Sequence, residues 1–228
     1  MTLIEPDVAL TDFGLAAECA LFAGWLQWRG MIDSPLRRWF VVLFAALGVG
    51  ALLGGITHGF FPDAQAHAAR VVWNATLVAI GVAALASWAV GAHVLFANTG
   101  ARWLVAAAAL LFALNVAVVL SVSQSFLVAI VFYAPAIMFA LLAFVLAYRA
   151  SGNSVLLFAI AGIVLSLIAA VVQQTQTGIA SLGLTHNALY HLVQAVGLLL
   201  IFLTARGLAS AGRDPSRLHV VHVSRETN

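Results

Sequence analysis

Long apolar runs alternate with short polar breaks along almost the whole chain, and the runs are similar in length. Reading from break to break predicts seven helices, at 9–29, 37–60, 70–97, 102–121, 125–148, 154–175 and 185–206. Each has about 20 residues or more, enough at about 1.5 Å per residue to cross a hydrocarbon core about 30 Å thick. The breaks read as turns: RGMIDSPLRR and FFPDAQAHAAR carry charge and proline, ANTGAR and RASGNS carry glycine and asparagine, and SVSQS and QTQTGIASLG are uncharged. The pattern predicts an all-α integral membrane bundle over residues 1–208, followed by a polar cytoplasmic tail over 209–228. No internal repeat marks an inverted-repeat transporter.

Composition narrows the class. Of 228 residues, 64% are hydrophobic and 8% charged, against about 25% charged in a soluble domain. The pI near 9.2 does not mark a nucleic-acid surface, because the net charge is only +2 and the arginines are scattered among short breaks. All ten basic residues are arginine, so there is no lysine amine to carry a retinal Schiff base. Arginine without lysine, together with abundant alanine, fits a GC-rich bacterial genome, and the expected location is the bacterial cytoplasmic membrane. The single cysteine, Cys19, excludes an internal disulfide and reads as packing.

Arginine placement sets the expected orientation. With the amino terminus outside, Arg29, Arg37, Arg38, Arg102, Arg149, Arg206, Arg213, Arg217 and Arg225 fall on the cytoplasmic side and only Arg70 on the other. The first eight residues are acidic and lack a basic n-region, so a cleaved signal peptide is not expected.

Orientation then sorts the intramembrane polar residues by depth. Glu18, His58, Asn74, Asn115, Gln173, Gln174, Asn187, His191 and Gln194 all fall in the outer half, whereas His93 is the main polar residue of the inner half. Polar groups in lipid pair with one another or line a wet cavity. One polar layer therefore predicts one pocket, opening outward and lined by the first, second, third and seventh helices. On the seventh helix Asn187, His191 and Gln194 follow an i, i+4, i+7 stripe with Tyr190 beside it. His186 lies about 140° round the helix from His191, a poor chelating pair.

Several residues have simpler readings. Asp12, after Thr11, reads as a helix cap, with a place in the pocket as its other reading. Gly50 and Gly54 read as a small-residue contact face. Trp25, Trp28, Trp39, Trp73 and Trp103 read as interfacial anchors. His67, His186, His219 and His222 read as solvated, and Pro135 as a kink in the fifth helix.

The segments GGITHGF, with His58, and NALYH, with Asn187 and His191, on a seven-span frame resemble the superfamily of alkaline ceramidases and adiponectin-type receptors. LTDFGLAAE, GGITHG and HNALYHLVQ are more closely similar to an uncharacterised bacterial family of seven-span proteins. The superfamily resemblance implies a zinc site on His58, Asn187 and His191. It further implies metal-assisted hydrolysis of a lipid amide or ester, with Glu18 as ligand or general base and Asn74 at the oxyanion. Asn187 stands where that superfamily has histidine, Gly54 where it has serine and Asn74 where it has aspartate. An amide is a weaker zinc ligand than imidazole.

Two further functional classes stay open. One is a non-enzymatic membrane protein binding a lipid or small ligand in the polar pocket. The other is a haem protein with His58 and His191 as axial ligands.

Overall fold

A computed structural model describes residues 3–28 and 33–211 of the chain. The described residues form seven α-helices and no named strand: α1 (Pro6–Trp28), α2 (Pro35–Phe60), α3 (His67–Leu95), α4 (Asn98–Ser121), α5 (Phe126–Ser151), α6 (Val155–Gln174) and α7 (His186–Ala211). All seven are long and apolar enough to cross a membrane. Most boundaries fall within a few residues of the polar breaks. The exception is α7, which continues to Ala211 instead of ending at 206. His219, His222 and the tail beyond Ala211 lie outside the described residues.

Local chemistry fixes the ends. Ser34 caps α2 by accepting from the Arg37 amide at 3.2 Å, and Pro35 supplies a helical φ at the first position. Arg37 reaches back to the Leu26 carbonyl at 3.0 Å, occupying an open acceptor at the end of α1. Arg38 and Arg37 both bond Asp33. Those bonds hold its carboxyl below the ordinary carboxylate range. Gly152, with φ of 66°, closes α5 in the left-handed conformation.

α3 is the most buried of the seven helices and packs against α2, α4 and α5. α1 lies against α2 and α7, and α7 pairs closely with α6. The α6–α7 seam depends on two glycines facing each other. A Cβ on Gly162 would sit 2.4 Å from the Gly197 carbonyl, and a Cβ on Gly197 would sit 2.8 Å from the Gly162 carbonyl. Backbones that approach this closely admit no side chain.

Near the middle of the bundle, three helices meet on aromatic rings. Phe22 of α1 stacks on Phe202 of α7 with centroids 4.2 Å apart, and Phe44 of α2 meets Phe22 edge-on at 5.4 Å. Trp25 packs edge-on against Phe202, with the Arg206 guanidinium 5.6 Å above its ring. Trp25 is therefore a packing and cation–π partner within the bundle. Trp103 is exposed, as an anchor would be.

Inserting a side chain into the glycine seam is expected to be costly, since overpacking typically costs about 1–3 kcal/mol. Gly197→Leu should lower the melting temperature in detergent by roughly 5–10 °C. Gly14→Ala, with nothing within 4 Å of the added methyl, should leave it unchanged.

Candidate functional site

A cavity of about 200 Å³ opens at the end of the bundle where α1, α3, α5 and α7 begin. One wall is polar: Asp12, His58, Asn187, His191 and Gln194, joined by Gln173 from α6. The opposite wall is apolar and aromatic, with Trp73 and Ile80 from α3 and Phe126 from α5. Leu15, Leu47 and Leu198 close the bottom above the aromatic cluster. The lining thus comes from α1, α2, α3 and α7, with α5 and α6 adding the far side.

The centre of the polar wall is a contact between distant parts of the chain. His191 Nε2 lies 3.2 Å from Asp12 Oδ1, and both side chains are nearly buried, at 12% and 5% exposure. Thr11 Oγ1 sits 3.2 Å from the other ring nitrogen, Nδ1. The same hydroxyl also lies 2.8 Å from the Asp7 carbonyl and 2.9 Å from the Val8 carbonyl, the usual back-bond of a helical threonine. Both ring nitrogens of His191 are therefore engaged by α1.

Asp12 can occupy this place because Gly54 of α2 leaves it room. A Cβ on Gly54 would lie 3.2 Å from Asp12 Oδ2 and 3.4 Å from Oδ1. The reading of Asp12 as a helix cap is corrected: α1 begins at Pro6, so Asp12 is already in the second turn. The reading of Gly50 and Gly54 as one contact face is also refined. Gly54 meets α1 through Asp12, whereas Gly50 turns toward Thr76, Ala79 and Ile80 of α3.

Acidic residues just before and at the start of α1 tie the mouth to its neighbours. Glu5 Oε2 lies 2.8 Å from His58 Nδ1, and the amides of Ile4 and Glu5 bond the Gly59 and His58 carbonyls at 3.2 Å. Asp7 Oδ2 accepts from the Thr185 amide at 3.1 Å and from its hydroxyl at 2.7 Å. Thr185 Oγ1 in turn accepts from the Ala188 amide at 3.3 Å, capping α7. Sequence reasoning missed Glu5, Asp7 and Thr11. Their signal was an acid or hydroxyl in each of the first turns of an otherwise apolar helix.

Other expected residues fall elsewhere. Neither Glu18 nor Asn74 is among the cavity-lining residues. Glu18 is one heptad from both Thr11 and Trp25, each of which touches α7, and Asn74 is one heptad from Gly81, which packs against α4. Glu18 Oε2 and Asn74 Oδ1 are buried without a hydrogen-bond partner. His186 does not line the cavity either.

The donors do not fit a zinc ion. Among the described residues no group of three or more His, Cys, Asp or Glu side chains is arranged to hold a metal. A zinc-bound imidazole needs a free lone pair at about 2.0–2.1 Å from the ion, but the ring nitrogens of His191 lie 3.2 Å from Asp12 Oδ1 and 3.2 Å from Thr11 Oγ1. A porphyrin between these histidines meets the same difficulty in a space of about 200 Å³.

Residues 8–210 match a family described as a family of unknown function, DUF6962. The chain belongs to this family. The matched span starts in the first turn of α1 and ends in the last turn of α7, so it contains every residue of the polar wall. No curated protein and no solved structure matches the chain.

Breaking the buried pair on one side should cost more than removing it whole. Leaving one member of a buried polar contact without its partner typically costs about 1–3 kcal/mol, whereas apolar replacement of both is often close to neutral. His191→Leu is therefore expected to lower thermal stability strongly, and Asp12→Leu/His191→Leu to recover most of it. A double-mutant cycle on unfolding in detergent checks the sign.

Proposed function

We propose that this protein is a multi-pass membrane protein that binds a small ligand in an intramembrane cavity open to the outside, and that it does so without catalysis. The seven apolar helices support insertion, and the arginine bias supports an outer amino terminus and a cytoplasmic carboxyl terminus in the cell membrane. The observation that carries the binding reading is the cavity itself. Its lining combines the polar side chains of Asp12, His191, Asn187 and Gln194 with the aromatic rings of Trp73 and Phe126. Concave, mostly apolar spaces with a few convergent polar groups are the usual form of small-molecule sites.

A second cavity of about 110 Å³ extends the first between α5 and α6, sharing Leu47, Ile80, Phe126, Gln173, Tyr190 and Gln194 with it. Most of its remaining lining is apolar, including Ala129, Ile130 and Ile137, with Tyr133, Ser166 and Gln174 among it. A ligand with a polar head and an apolar tail, such as a membrane lipid or a related amphiphile, would use both. The hydrolytic reading draws less support from the cavity, because Glu18 and Asn74 are not among its lining residues and both ring nitrogens of His191 lie against side chains of α1.

Thiol labelling tests this reading in a Cys19→Ala background. A membrane-impermeant methanethiosulfonate applied outside intact cells is expected to modify Asn187→Cys, and to modify Glu18→Cys and Asn74→Cys at least about tenfold more slowly. Asn187→Cys that reacts only from the cytoplasmic side, or not at all, overturns it.

A further inference from the structure

We infer that the ligand head group is a cation, an ammonium carried on an amphiphile or a small organic molecule, with the Asp12 carboxylate as its counter-charge. The inference rests on the ligand-binding reading above and adds the chemical class of the ligand. Asp12 is 4% exposed and lines the cavity. Its Oδ1 faces His191 Nε2, while its Oδ2 lies over Gly54 and takes no hydrogen bond from a described residue. A carboxylate oxygen on a cavity-lining residue that takes no hydrogen bond from the protein is available to a donor or a charge that enters the cavity.

The cavity holds no basic residue that could fill the role. The chain has no lysine. Arg70, the one arginine expected at this end, lines a neighbouring cavity with Thr57, Gln65 and Gln124 that shares Trp73 with this one, and it is not among the residues that line the space beside Asp12. His58 is tied to Glu5. An anionic head group would meet Asp12 with no arginine in the lining.

The aromatic walls point the same way. Trp73, Phe126 and Tyr190 line the same cavity as Asp12, and the negative faces of aromatic rings attract ammonium groups, quaternary ones above all. A carboxylate supplies the charge and the rings supply a surface that needs no hydrogen bond from the ligand. The neighbouring amides of Asn187, Gln173 and Gln194 would bond a hydroxyl or carbonyl next to the ammonium. Together these features suit a head group of the choline or ethanolamine type.

Two reagents of opposite charge read the field of the cavity directly. In the Cys19→Ala background, 2-(trimethylammonium)ethyl and 2-sulfonatoethyl methanethiosulfonate are compared at Asn187→Cys and at Ser181→Cys, an exposed position of the loop before α7. The rate ratio favouring the cationic reagent is expected to be at least about tenfold larger at 187 than at 181, and to fall to the value at 181 when Asp12→Asn is added. Choline is expected to slow labelling at 187, whereas its uncharged isostere 3,3-dimethylbutan-1-ol is not.

Equal ratios at the two positions, a ratio unmoved by Asp12→Asn, or equal protection by choline and its isostere overturns the cation while leaving the cavity reading intact. Failure of both reagents at 187 overturns the two together. Because Asn187→Cys with native Asp12 carries the first comparison by itself, a folding defect of Asp12→Asn does not shelter the inference.

Discussion

Burying one carboxylate among apolar helices is the constraint on which the site depends. A polar group removed from water without a partner costs about 1–3 kcal/mol, so Asp12 must lie where another element can reach it. That element is α7, through His191, and the reach exists only because Gly54 of α2 has no side chain. Three helices are thus brought into register by one acid. Thr11 fixes the imidazole from the other side, so the ring is held by adjacent residues of α1.

Below this layer the packing changes character. Apolar helices in a membrane gain little from hydrophobic burial against each other, because lipid tails are equally apolar, and close packing takes over. The Phe22–Phe44–Phe202 cluster and the Gly162–Gly197 approach provide that packing for α1, α2, α6 and α7. They form a filled base under the cavity. The upper part stays open because its polar wall is joined to itself and to the start of α1 instead of collapsing onto Trp73 and Phe126.

The paired histidines also decide what chemistry the layer offers. A metal centre leaves ring nitrogens free toward a common point, and this bundle aims them at carboxylates and a hydroxyl on α1 and just before it. The result is a polar layer joined to itself through α1. Polar groups that share a layer need not share the site: Glu18, Asn74 and Asn115 do not line the cavity, and Asn115 packs where a Cβ on Gly81 would be 2.2 Å from its Oδ1.

The sequence by itself determined the number of helices, most of their limits and the depth of the polar residues, because hydropathy and turn chemistry are local properties. It also placed His58, Asn187, His191 and Gln194 on one cavity, since one stripe of α7 and one end of α2 follow from helical spacing. Which way Glu18 and Asn74 face, and that Asp12 is a partner and not a cap, came only from the tertiary structure. Depth is set along a helix by counting residues, but facing is set by the rotation of each helix against its neighbours. That rotation is decided by where small residues such as Gly54 and Gly162 allow backbones to approach.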